Sequence, residues 1–121
     1  MTEQPSRLIV LTRAPYSGNA LREGLDVALT AAAFGEPVTL LFSGEGALAL
    51  VKTQQNGAPG QKGVLPTIAM LEMYDIEELL VPEHSLNELG LMADQLVEAA
   101  RVIDEEDVVA LYRRSLAVLH F

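Results

Sequence analysis

The stretch "APYSGNALREGLD" at positions 14–26 follows directly on the apolar run "LIVLT" and gathers the side chains best suited to holding an anion. Thr12, Tyr16, Ser17 and Asn19 supply hydroxyl and amide groups, and Gly18 supplies a bend. The amides of a helix opening just beyond them would add partial positive charge. Ser17, Gly18 and Asn19 are therefore the candidate anion site. Phosphate chemistry needs more than a loop, however. A Walker A ending is absent, and the hydroxyl-rich repeat of a flavodoxin loop is mostly missing. A flavin would also want flanking aromatics, where the chain has no Trp and 3 Tyr, so no cofactor is expected. The favoured reading is structural: Pro15 and Gly18 shape a turn, and Ser17 or Asn19 caps the helix.

The remaining chemical candidates are weaker. "GEG" at 44–46 lacks the third glycine of a nucleotide fingerprint. His84 and His120 have no second His or Cys at ligand spacing, so surface or packing roles are favoured and no metal is expected. A phosphoacceptor domain would need acids at the strand ends Thr12-Arg13, Ser43-Gly44 and Val81-Pro82, where none stands. The acidic run Asp104–Asp107 reads as a helix start, with Asp104 and Asp107 forming a variant capping box. Glu77-Glu78 read as a solvated strand entry. With 0 Cys the chain has no thiolate nucleophile, metal thiolate, disulfide or persulfide carrier. No nucleophile, base and oxyanion donor can be assembled, so no catalytic residue is named and an enzyme working alone is not expected.

The elements that must position these residues alternate in period. Arg7–Arg13 reads as a first strand, β-branched and continuously apolar. Ala20–Phe34 reads as a helix with one stripe of Leu21, Leu25, Ala28, Leu29 and Ala32, stopped by Gly35-Glu36-Pro37. Val38–Ser43 is the second strand and Gly44–Lys52 a short helix. Thr53–Gly63, with three Gly and one Pro, is a loop expected to be the most mobile segment. Val64–Tyr74 is helical, Glu78–Val81 the third strand, and "HSLNELG" a helical turn. A fourth strand falls within Leu96–Ile103, a last helix spans Asp104–Arg114, and Leu116–Phe121 is a fifth strand. Such alternation implies a single three-layer α/β/α domain over 1–121 with a parallel sheet of about five strands. The strand order stays open.

Bulk properties narrow the function. Of the 121 residues 50% are hydrophobic, and the mean hydropathy is +0.24, high for a domain with so much surface. No stretch approaches the ~20 apolar residues of a membrane span. The opening "MTEQPSR" lacks the basic start and apolar segment of a secretory signal, so the cytoplasm is the expected compartment. Eight basic residues against 17 acidic ones give a net charge of −9, which argues against direct nucleic-acid binding.

The excess apolar content concentrates in Val64–Tyr74. Val64, Leu65, Ile68, Ala69, Met70, Leu71 and Met73 surround this helix, leaving Thr67 and Glu72 as its main polar members. A helix apolar on nearly every side must be covered on nearly every side. The sheet can cover one face, and a partner is the natural cover for the other. Val64, Ile68, Met70, Leu71, Met73 and Tyr74 are the expected interface.

Taken together, "APYSGNALREGLDVALTAAAF", "YDIEELLV" and "LAVLHF" resemble the TusC/DsrF branch of the DsrE/DsrF/DsrH sulfur-relay family over almost the whole chain. Ala14-Pro15, Gly18, Arg22–Asp26 and Tyr74–Glu77 carry the likeness most sharply. The resemblance implies a parallel five-stranded α/β/α fold. It also implies a place beside TusB/DsrH-like and TusD/DsrE-like subunits in a heterohexamer that relays persulfide sulfur toward 2-thiouridine at the tRNA wobble position. Related assemblies serve dissimilatory sulfur metabolism. In the family a Cys of the TusD/DsrE-type subunit carries the sulfur, in or near the helix before the third strand. The corresponding region here, Gly63–Leu71, offers only Thr67 or Ile68 by register. The resemblance thus implies a non-catalytic subunit. The alternative is a small-molecule or anion binder using Tyr16–Asn19 and the "SGEG" turn.

Overall fold

Five parallel strands form one sheet in the order β4-β3-β2-β1-β5 in the computed structural model, which describes residues 5–52 and 64–121. β1 spans Arg7–Leu11, β2 Val38–Phe42, β3 Leu79–Pro82, β4 Ala100–Ile103 and β5 Ala117–His120. The helices are α1 (Ala20–Ala33), α2 (Leu65–Leu71), α3 (Glu83–Leu89) and α4 (Glu105–Arg114). Short 3₁₀ turns cover Gly44–Leu50, Glu72–Tyr74 and Ala93–Gln95. The glycine-rich loop expected at Thr53–Gly63 lies outside the described residues.

The strand order explains the unequal layers. From β1 to β4 each strand is laid beside the last in one direction, so right-handed crossovers place α1, α2 and α3 on one face. The chain then returns across the sheet to add β5 beside β1, and the reversed direction places α4 on the other face. The larger core joins Ile9, Leu11, Leu40, Phe42, Leu79 and Val81 to the three-helix side. The smaller core joins Leu8, Val10, Leu41, Leu80 and Ile103 to Leu111 of α4. β1 lies inside the sheet between β2 and β5 and is covered on both faces, which is why Leu8–Leu11 are all buried and read as an unbroken apolar run.

Local chemistry sets the element ends. The α1 stripe is buried at Leu21, Leu25 and Ala28, with Leu29 and Ala32 packed at its margin. Gly35, at φ +81°, closes the helix in a Schellman motif, its N–H donating to Ala32 O at 2.9 Å while Glu36 N–H reaches Ala31 O at 3.1 Å. The same device ends the α2 region with a non-glycine residue: Asp75 sits at φ +66°, and Ile76 N–H donates to Leu71 O at 3.1 Å. Asp tolerates the left-handed region where β-branched residues do not. Asp75→Gly should therefore match or exceed wild-type stability, whereas Asp75→Val should cost about 1–2 kcal/mol, as read in urea melts.

Two elements depart from expectation. The segment 96–99 is not part of β4. Instead Val97 N–H donates to Leu50 O at 2.8 Å and Lys52 N–H to Gln95 O at 2.9 Å, an antiparallel contact with the end of the Gly44–Leu50 turn. The continuous helix expected over Val64–Tyr74 is one α-helical piece followed by a 3₁₀ turn.

Candidate functional site

Part of the opening loop's polar chemistry is used within the protein, although Thr12, Tyr16, Ser17 and Asn19 are all exposed. Thr12 donates both its N–H and its hydroxyl to Phe121 O, each at 2.9 Å, tying the loop to the residue beyond β5. Ser17 donates its N–H to Ala14 O at 3.1 Å. Gly18 takes φ +95° with open space around it, as expected of a turn residue. Asn19 occupies the N-cap position of α1, and its carbonyl accepts the Glu23 N–H at 2.9 Å. The expected side-chain cap is not formed. Asn19 has φ −106° and ψ 0°, whereas capping side chains reach the first-turn amides from an extended backbone.

The carboxyl ends of β1 and β2, where an α/β sheet usually opens to ligands, are covered by the Gly44–Leu50 turn. Ser43 N–H donates to Leu11 O at 2.9 Å, and Gly44 N–H donates to Ser85 Oγ at 2.9 Å. Gly46 lies against the Leu11 carbonyl itself, with room for no side chain. Ala14, Ala47 and Ala49 fill the space around this junction and are fully or almost fully buried. "GEG", which carried no weight as a nucleotide motif, is therefore a seam between strand ends. Ser85 is 0% exposed, and its replacement by Ala would strand the Gly44 N–H. Ser85→Ala is expected to cost about 1–3 kcal/mol in a chemical melt.

The histidines and acids fall where packing and dipoles place them. His84 is exposed in the first turn of α3. His120 ends β5 with its ring centroid 6.3 Å from that of Tyr112, whose phenol is raised above its ordinary pKa by burial. Among the described residues no group of three or more His, Cys, Asp or Glu could hold a metal ion. Asp104 caps α4, its Oδ1 accepting the Asp107 N–H at 2.8 Å, which is one half of the expected capping box.

The expected interface divides. Val64, Ile68 and Leu71 are 2%, 6% and 0% exposed, so these three belong to the core and not to a partner-facing surface. Their i, i+4, i+7 spacing is the inner stripe of α2. Met70, Met73 and Tyr74 are 44%, 80% and 36% exposed and form the outward half. Ala69, one residue before Met70, is also exposed. Beside this surface a cavity of about 320 Å³ opens between α2 and the Val97–Ala99 segment, with Leu65, Ile68, Ile76 and Leu79 in its walls. A second cavity of about 370 Å³ lies near the amino ends of β1 and β2, where Ser6 Oγ and Thr39 Oγ1 are 2.7 Å apart. Phe34, 82% exposed at the end of α1, is a further apolar surface residue, and periodicity alone could not have marked it.

Comparison with known proteins places this geometry. A profile described as the DsrE/DsrF-like family matches residues 6–121. A TusC homolog of Pseudomonas aeruginosa is 36% identical over 109 residues, spanning 90% of this chain and 92% of that protein. A TusC homolog of Vibrio vulnificus is 32% identical, spanning 96% of this chain and 99% of that protein. The intracellular sulfur oxidation protein DsrF of Allochromatium vinosum is 33% identical and matched over all of both chains. The crystal structure of the ychN protein of E. coli superposes with a TM-score of 0.83 over 98% of this chain and 100% of that one. Its 15% identity makes it a likeness of fold alone.

Proposed function

Because the chain belongs to the DsrE/DsrF-like family, we propose that it is a non-catalytic subunit of a sulfur-relay assembly, supporting persulfide transfer by a Cys-bearing sister chain. One observation carries this reading: a chain matched nearly end to end to sulfur-handling relatives contains 0 Cys. Persulfide transfer requires a sulfur nucleophile, and neither Thr67 nor Ile68 can supply one. The sister chains are TusB/DsrH-like and TusD/DsrE-like subunits, and Met70, Met73 and Tyr74 are the docking surface. Met suits such contacts because its flexible thioether adapts to an irregular partner surface.

The product of the relay in this reading is 2-thiouridine in tRNA, made in the cytoplasm. A net charge of −9 leaves tRNA contact to another component. No helix among the described residues is long and apolar enough to cross a membrane.

Co-expression with TusB- and TusD-like chains tests the proposal. One complex should elute, sulfur from a persulfide donor should be found only on the Cys-bearing subunit, and wobble thiolation should be restored in cells lacking this chain. Turnover of a sulfur donor by the purified chain alone, or failure to join either sister, would refute it.

A further inference from the structure

We infer that the outer face of α4 is a twofold contact between two copies of this chain. Leu111 is buried against the sheet and Val108 packs beside it, so the helix pole farthest from the core carries Glu106, Val109, Ala110 and Arg113. These residues are spaced i, i+3, i+4 and i+7 and lie on one face. Together with Glu105 and Arg114 they border a shallow depression of about 750 Å³, with long charged side chains at its ends and small residues between them.

The pattern is its own complement. In an antiparallel helix pair, residues at one level have numbers of constant sum. Placing the axis between Val109 and Ala110 sets Glu106 opposite Arg113 of the second copy and Val109 opposite its Ala110. The acid of this pole then meets the base of the other copy's pole, and the smallest side chains fall at the axis, where helix backbones must approach within about 8–10 Å. An isologous contact of this kind closes as a dimer.

Within one copy Glu106 and Arg113 have no mates among the described residues of this face. Glu106 and Arg113 are seven residues and about 10 Å apart, and the positions three and four residues from each toward the helix centre are Val109 and Ala110. Neither forms an ion pair with a described residue. Arg114 is already engaged within the protomer, so the Glu106–Arg113 pair carries the inference. The helix dipole accounts for acids in the first turn and arginines in the last. It does not account for Val109, a poor helix former left 45% exposed at the solvent pole. Tyr112, on the flank of α4, and Leu116, just beyond its end, are 37% and 69% exposed and offer further apolar area. A ten-residue helix pair is small beside a standard interface, so the contact is weak for free chains and strengthens when larger assemblies hold two copies close.

A chain with 0 Cys allows a direct test, because one introduced thiol can bridge only to its own copy. Ala110→Cys, oxidised at about 0.5 mM chain, should give a covalent dimer, whereas Phe34→Cys should not. In the Ala110→Cys background, Glu106→Arg or Arg113→Glu alone should reduce the dimer yield about tenfold, and the two together should restore it. Unchanged circular dichroism of each variant separates lost contact from lost fold. No dimer from Ala110→Cys, equal dimer from Phe34→Cys, or a yield indifferent to the charge reversals would overturn the inference.

Discussion

Gly46→Ala is expected to destabilise the protein by more than about 3 kcal/mol, a large part of the stability of a domain this size. A Cβ at Gly46 would penetrate the Leu11 carbonyl, standing 2.7 Å from its carbon and 3.3 Å from Thr12 N. These are backbone atoms at the end of β1, an interior strand, and neither can rotate away. Leu11 O also holds the Ser43 N–H, so displacing it breaks the bond that joins β1 to the turn. Gly44 provides the control. It has φ +54° but open space around it, so Gly44→Ala should cost only about 1–2 kcal/mol of left-handed strain. Thermal melts should show Gly46→Ala falling by about 10 °C or more and Gly44→Ala by much less. A Gly46→Ala melting point within a few degrees of wild type would mean that the seam yields and is not rigid.

The second large effect concerns assembly and leaves the fold alone. Met70→Glu/Met73→Glu is expected to weaken binding to the proposed TusB- and TusD-like partners at least about hundredfold, since burying two unpaired carboxylates costs several kcal/mol. Because Met70 and Met73 are 44% and 80% exposed in the free chain, its melting point should barely move. Ile68→Glu, one turn inward and 6% exposed, should instead unfold the chain outright. Copurification and isothermal calorimetry separate the two cases. Assembly that survives the double substitution would move the docking surface elsewhere, with Phe34 and Tyr16 the next apolar residues to test.

The division of α2 shows where sequence reading stops. Val64, Ile68 and Leu71 are as apolar as Met70 and Met73, and periodicity marks both sets without saying which one the sheet covers. Asn19 teaches a similar lesson, because residue type marks a cap but backbone angles decide whether the side chain can reach. The "GEG" glycines were visible as residues, yet nothing in their spacing says that Leu11 lies against the second of them. Leu96 and Val97 read as strand because they are apolar, but Leu96 pairs with Val51 and the Val97 N–H bonds Leu50 O, an antiparallel contact that no local pattern encodes.

The sequence by itself determined the alternation of strands and helices, and with it a parallel sheet. It determined the caps at Gly35 and Asp104, and the absence of any thiol to carry sulfur. These follow from near-neighbour chemistry: period, φ preference, helix dipole and residue type. Only the tertiary structure decided the order β4-β3-β2-β1-β5, the seam of Gly46 on Leu11, and which half of α2 faces outward. It also decided the outward turn of the Glu106–Arg113 face. Each depends on groups far apart in the chain meeting in space, and such contacts are selected by burial and excluded volume over the whole molecule.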